Sequence, residues 1–224
     1  MSKVGFREYT DFERPSQELV DLFKDIPVAN IDDNMSRLYA IDGAIRPMNG
    51  VKMLGTAFTV KTTAGDNLML HRALDIAKPG DVILVDGKGD MTRAQCGEIM
   101  VTYAMKRGLA GLVIDGCVRD ADELREYDFP VYARGITPNG PYKEGPGEIN
   151  VPVAIGGQVV FPGDIIIGDA DGVVVVRPAD ATVVAANAKK QNEKEQNNLK
   201  QIEEGTFDRS WIVKTLEAKG CTIE

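Results

Sequence analysis

From residue 55 to residue 134 the apolar positions of this 224-residue chain change period repeatedly, and each change marks an element. GTAFTVKTT, 55–63, is rich in Thr, Val and Phe and predicts a strand. DNLMLHRALDIA, 66–77, carries apolar residues at helical spacing, with Asp66 as N-cap. PGDVILVD, 79–86, is a turn followed by a buried strand. MTRAQCGEIMVTYAMKRG, 91–108, predicts the clearest helix, with Thr92 and Gln95 at capping-box spacing and Gly108 at its end. LAGLVIDG, 109–116, is the next buried strand; RDADELREY, 119–127, is a short helix, and PVYAR, 130–134, another strand. A first helix is expected over 15–26, where PSQELVDLFKDI opens with Pro and Ser. Strands alternating with helices predict an α/β chain with at least part of its sheet parallel.

The second half has another rhythm. TPNGPYKEGPGE, 137–148, is rich in Gly and Pro and predicts a loop. VPVAIGG, QVVF, DIIIGD and GVVVVRP then follow at short intervals, as in an antiparallel β-meander. Residues 178–204 predict one long helix, apolar early and charged late, and 208–220 a final amphipathic helix. PGDVILVDGKGD, 79–90, echoes PGDIIIGDADGV, 162–173, which we read as shared turn chemistry. No linker divides the chain, so residues 1–224 are expected to form a single domain with a C-terminal helical extension over about 178–220.

Composition narrows the class. Hydrophobic content of 43% and charged content of 27% are those of a globular chain able to bury a core. The N-terminal MSKVGFREYTDF lacks an apolar signal segment and no apolar run is long enough to span a bilayer, so a cytoplasmic protein without membrane contact is expected. A net charge of −8 with no basic stripe argues against nucleic-acid binding. Cys96, Cys117 and Cys221 are odd in number and not in CxxC spacing, so they read as reduced, buried small residues.

Several catalytic signatures are missing. VDGKGD, 85–90, lacks the third glycine and the acidic residue of a dinucleotide fingerprint, and there is no P-loop, G-x-S-x-G elbow or H-E-x-x-H. His71, the single histidine, lies in the helix 66–77 beside leucines and reads as a packed residue. What remains is acidic chemistry around one arginine. One crossover, helix then strand, separates Glu98 from Arg119 and Asp120, and that topology brings them to the ligand-binding edge of a parallel sheet. Hard oxygen ligands without His or Cys suit Mg²⁺ or Mn²⁺, and an arginine fork suits a substrate carboxylate. A small keto acid fits such a site, its carboxylate on Arg119 and its carbonyl on the metal. The same residues also suit a plain helix start, with Asp120-x-x-Glu123 as a cap and Arg119 paired to Glu123 or Asp122. Spacing alone leaves both readings open.

These residues also carry a family resemblance. Gly97-Glu98, twenty intervening residues, then Arg119-Asp120 with Glu123 after it, set among PGDVILVDGKGD, GLVIDGCVRD and PGDIIIGDADGVVVV, resemble the RraA-like group over residues 25–205. That group includes the class II 4-hydroxy-4-methyl-2-oxoglutarate/4-carboxy-4-hydroxy-2-oxoadipate aldolases. The resemblance implies a layered β/β/α fold like the swivelling phosphohistidine domains, with a mixed sheet and C-terminal helices, assembled as a trimer or dimer of trimers. It implies a lyase that uses Mg²⁺ or Mn²⁺ to release pyruvate by retro-aldol cleavage, and that decarboxylates oxaloacetate through the same enolate. By position Asp120 would be the metal ligand, Glu98 would act through metal-bound water, and Arg119 would bind the pyruvyl end and steady developing enolate charge. The segment at Gly97, with the N–H groups of Ile99 and Met100, would help hold the pyruvyl carboxylate. Gly65, Asp66 and Asn67 match a family loop near the site, Asn67 as a substrate contact. A further acid would come from a neighbouring subunit, with Glu195 the match and Glu193 the alternative. Some members of the group instead bind and inhibit RNase E, so a non-catalytic regulator is the competing expectation. A methyltransferase reading lacks a glycine-rich loop after the first strand.

Overall fold

In the computed structural model, which describes residues 3–222, the chain enters at the edge of the sheet as β1 (Phe6–Glu8). Helix α1 (Gln17–Asp21) begins where the Ser16 hydroxyl accepts the Leu19 N–H, and it stops after five residues. A separate helix, α2 (Val28–Asp33), follows Pro27. The single helix expected over 15–26 is therefore shorter. Asp25 sits at φ +64 and Pro27 removes an N–H, so the helix cannot run on. After β2 (Arg46–Pro47) comes β3 (Met53–Thr62), and then α3 (Leu68–Ile76). Asp66 serves the start of α3 from one residue outside the cap, its Oδ1 accepting the Leu68 N–H at 2.9 Å.

The largest departure from expectation is β4 (Asp81–Cys96), sixteen residues long, followed by α4 (Glu98–Lys106). The stretch 91–96, expected as the first turns of a helix, is strand. Ala94 and Cys96 pair with Cys117 and Val118 across register shifts, and burying them in the sheet outweighs their helical spacing. The Thr92–Gln95 capping box does not form. The Thr92 hydroxyl and N–H both donate to Asp90 Oδ1, Gln95 is fully buried, and Gly97 is the N-cap.

Next come β5 (Gly111–Val118), α5 (Ala121–Glu126), β6 (Val131–Ile136) and β7 (Gly147–Ile149), the last reaching into the expected loop. The expected meander is two separate hairpins. Among the described residues β8 (Val153–Ile155) and β9 (Gln158–Val160) pair only with each other, while β10 (Ile165–Asp169) and β11 (Gly172–Val176) join the main sheet through β3. Helices α6 (Ala181–Glu203) and α7 (Trp211–Ala218) complete the chain. No helix among the described residues is long and apolar enough to cross a membrane.

The nine-stranded sheet is mixed. β3, β4, β5 and β6 are parallel neighbours, and β10 and β7 pair antiparallel with the two ends of β3. Helices α3, α4 and α5 cover one face, through Leu70, Val101 and Leu124. The β8–β9 hairpin, with Ile41 and Ile45, packs against the other face and against β10 and β11. Helices α1, α2 and the first half of α6 close the outside of that layer. The fold is thus a layered α/β arrangement with C-terminal helices.

The echo between the two Pro-Gly-Asp turns is physical. Asp81 accepts the Lys78 N–H at 2.8 Å and both Nε and Nη2 of Arg14, whose guanidinium stacks on Phe12. Asp164 likewise accepts the Phe161 N–H at 2.7 Å and Arg177, which stacks on Phe161. Each buried carboxylate ties a turn to an arginine from another segment. Asp81→Ala strands the Arg14 fork and the turn N–H together, and is expected to lower unfolding stability by about 3 kcal/mol. Urea denaturation at neutral pH checks this.

Candidate active site

Strands β4 and β5 end side by side, and the site is built at those ends. The Arg119 N–H donates to Cys96 O at 2.9 Å, so the residues that follow each strand stay adjacent. Gly97 is extended, at φ −156, and gives way to α4. Across from it Asp120 adopts a left-handed conformation, φ 56 and ψ 46, which few residues other than Gly, Asn and Asp accept readily. That conformation turns its carboxylate away from its own helix. Asp120 makes no side-chain cap on α5; its Oδ2 accepts the Glu98 N–H at 2.9 Å, at the N-terminus of α4. A carboxylate there is favoured by the helix dipole. Arg119 pairs with neither Glu123 nor Asp122: its Nε lies 3.6 Å from Asp120 Oδ2, and Asp122 is taken by Arg125. The plain-cap reading of this dipeptide does not hold.

Gly97 makes the approach possible. A Cβ on it would overlap the Asp120 carboxylate and stand 2.9 Å from Arg119 Cγ. Asp120 and Arg119 then border a cleft of about 250 Å³. Asn67, at the start of α3, lines it too, with Nδ2 donating to Gln95 O and with Oδ1 buried and without a protein partner among the described residues. The first turn of α4 forms part of the wall. Among the described residues the Ile99 N–H has no protein acceptor, whereas the Met100 N–H goes to Gly97 O at 3.1 Å.

The opposite wall comes from the loop 137–146, which contributes Gly140, Pro141 and Lys143. The loop is tied down. Asp66 Oδ2 accepts the N–H groups of Glu144 and Gly145 at 2.7 and 3.0 Å. Arg93 donates to Gly140 O and to the Tyr142 hydroxyl, both at 2.8 Å, and stacks on the Tyr142 ring. His71 stands at the rim, exposed, rather than packed among leucines as expected. Partial desolvation against the rim first, and then the Lys143 charge, hold its pKa below the ordinary histidine value.

The structure therefore brings Asn67, Gly97, Ile99, Met100, Arg119 and Asp120 to one cleft. Glu98 contributes its N–H there, but its carboxylate turns aside to accept the Tyr127 hydroxyl at 2.8 Å. Glu195 lies elsewhere on α6, accepting from Asn30 Nδ2 and Gln191 Nε2, and Glu193 is exposed on the same helix. Gly65 packs against Arg93. Sequence reasoning missed Lys143 and the reach of His71. The only signal for Lys143 was a single cation in a loop rich in Gly and Pro.

The residues present fit a hard divalent cation. Asp120 Oδ1 has no protein partner among the described residues, and the orphaned Asn67 Oδ1 suits a water or hydroxyl donor in the same cleft. No three His, Cys, Asp or Glu side chains among the described residues are grouped so that together they could hold a metal ion. One carboxylate and several waters is a usual set for Mg²⁺.

Comparison with known proteins agrees with this architecture. Residues 28–175 match the RraA-like family model, described as Aldolase/RraA. Over 175 residues the chain is 40% identical to a protein of Halalkalibacterium halodurans named "Putative 4-hydroxy-4-methyl-2-oxoglutarate aldolase", covering 78% of this chain and 83% of that one. Among solved structures, an uncharacterized protein from Pseudomonas syringae pv. tomato matches with a TM-score of 0.78 at 26% identity, over 87% of this chain and 96% of its own. Streptomyces coelicolor RraAS2, described as an unusual member of the RNase ES inhibitor RraA protein family, matches with a TM-score of 0.75 at 30% identity, over 83% of this chain and 98% of its own. With the layered fold, the paired strand ends and these matches in hand, the chain belongs to the RraA-like family.

Proposed function

We propose that this protein is a divalent-metal-dependent lyase that cleaves a C–C bond of a 4-hydroxy-2-oxo dicarboxylic or tricarboxylic acid and releases pyruvate. The observation that carries the reading is Asp120, turned across to the N-terminus of α4 with one oxygen free, beside Arg119 in a cleft whose far wall holds Lys143. When bound at Asp120, Mg²⁺ or Mn²⁺ would supply Lewis-acid polarisation of the keto carbonyl.

The chain's own groups do the rest. Arg119 binds the pyruvyl end and holds positive charge where the keto oxygen becomes negative. The Ile99 N–H, open at the helix start, faces the same carboxylate. Lys143 takes the carboxylate of the departing fragment, so a substrate with acids at both ends lies along the cleft. As the C3–C4 bond breaks, its electron pair passes into the C2–C3 enolate and the C4 hydroxyl loses its proton to become a carbonyl. A water bridging to the Glu98 carboxylate accepts that proton, and protonation at C3 yields pyruvate. With CO₂ as the departing group the same enolate forms from oxaloacetate. We further propose a homotrimer or dimer of trimers, in which Glu195 of a neighbouring subunit, with Glu193 as the alternative, supplies the acid that one chain does not bring to its own cleft.

The test is pyruvate release, coupled to lactate dehydrogenase, from 4-carboxy-4-hydroxy-2-oxoadipate and from oxaloacetate, with Mg²⁺ or Mn²⁺ and with EDTA. Metal-dependent turnover above the metal-only rate is expected for both acids. No turnover of either by folded, metal-loaded protein overturns the reading. The likeness to RraAS2 favours one other reading, a regulator that binds an RNase E-type nuclease. Inhibition of that nuclease without lyase turnover would establish it instead.

Because His71 is held below its ordinary pKa, it stays neutral to a lower pH than a free histidine does. Between the ordinary value and the lower folded one the folded chain binds fewer protons here than the unfolded chain, so this group's contribution to stability is lost as pH falls through that window. The KM for the longer acid is expected to stay level from about pH 6.5 to 8 and to fall on the acid side, where His71 adds a second cation beside Lys143. His71→Gln removes that acid-side change, which steady-state kinetics across pH will show.

A further inference from the structure

We infer that the N-terminal strand β1 is a positioning element for the substrate cleft: it staples the loop 137–146 to helix α3 and so sets the distance between the two ends of the site. This rests on the lyase reading above.

β1 lies outside the segment that matches the family model, which begins at residue 28. It pairs parallel with β7, Phe6 opposite Gly147 and Glu8 opposite Ile149, immediately after the loop that carries Lys143. Tyr9 continues the link, its N–H donating to Ile149 O and its own carbonyl accepting Asn150 Nδ2 at 2.7 Å. The side chains reach further than the ladder. Arg7 Nε donates to Glu148 Oε1 at 2.6 Å. Glu8 takes Nε and Nη2 of Arg72 at 2.7 and 2.8 Å, a two-pronged pair to the residue after His71 on α3. The Phe6 ring stands 3.5 and 3.7 Å from where a Cβ on Gly145 would lie, and Leu68 of α3 meets the same point at 3.5 Å. Asp66 holds Gly145 from the inner side.

One end of the site, Arg119 with Asp120, stands on the β4–β5 ends and needs no help from β1. The other end, Lys143 and His71, stands on a loop and a helix that touch β1 on both sides. Loosening β1 therefore moves the distal cation and leaves the reacting end in place. A long substrate feels this and a short one does not. The Glu8–Arg72 pair suits the test, because both side chains are partly exposed, 34% and 46%, and their loss opens no core cavity.

The experiment compares Glu8→Arg, Arg72→Glu and the double exchange in the full, Mn²⁺-loaded chain. Each single variant is expected to raise KM for 4-carboxy-4-hydroxy-2-oxoadipate about 5- to 20-fold, with kcat and the KM for oxaloacetate within about 2-fold. The double exchange restores the pair and the KM. Amide exchange over 140–146 should speed in the single variants and return in the double. Unchanged KM and exchange in the single variants, or equal losses on both acids, overturn the inference. If the wild type turns over neither acid, the lyase reading fails by itself. Amide exchange then still decides whether β1 holds the loop: faster exchange supports the staple and unchanged exchange refutes it.

Discussion

Asp120→Asn is expected to lower kcat/KM for pyruvate release by about 10²-fold or more, the scale of removing a charged group at a reacting centre, while leaving the melting temperature nearly unchanged. Asn is the informative replacement. It tolerates the left-handed backbone at φ 56, and its carbonyl can still accept the Glu98 N–H. Shape and cap are kept; only the charge that would hold a divalent cation is lost. Asp120→Ala loses the charge and the cap together and adds backbone strain of about 1 kcal/mol, so it confounds folding with chemistry. Kinetics and thermal melts on the same Asn preparation separate the two.

Gly97→Ala should be nearly as damaging by another route. The backbone at Gly97 is extended, at φ −156, so alanine fits its conformation. Its methyl group, however, would occupy the place of the Asp120 carboxylate and crowd Arg119 Cγ at 2.9 Å. Asp120 must then leave the start of α4 or α4 must shift. Either movement is expected to cost about 10²-fold in kcat/KM, since a displacement of about 1 Å at a reacting centre has that effect. Adding more metal should not rescue the variant, in contrast to a simple loss of affinity. A metal titration of initial rates makes the distinction.

How much of this was legible beforehand differs by element. The strands 79–86 and 109–116 and the helix between them announced themselves through uninterrupted apolar runs and glycine punctuation, and the crossover rule was enough to bring Glu98, Arg119 and Asp120 to one edge. The start of α4 was misplaced, because Thr92-x-x-Gln95 mimics a capping box while the burial of Ala94 and Cys96 beside β5 decides the matter. The role of Asp120 as a cap was half visible: it caps a helix, but the neighbouring one, and only the left-handed backbone reveals which. The direction of the Glu98 carboxylate depends on Tyr127, 29 residues further on. Lys143 and β1 carry no periodicity of their own. A three-residue edge strand and a Gly- and Pro-rich loop take their shape from partners such as Asp66, Arg93 and Glu148, so local pattern cannot announce them.

The most direct measurement is the initial rate of pyruvate release from 4-carboxy-4-hydroxy-2-oxoadipate by Mn²⁺-loaded wild type and Asp120→Asn, each net of the rate with Mn²⁺ alone. A wild-type rate well above that background, abolished by EDTA and lost in a folded Asp120→Asn protein, is the predicted result. Equal net rates for the two proteins would contradict the assignment of chemistry to Asp120, and with it the account of the cleft at the ends of β4 and β5.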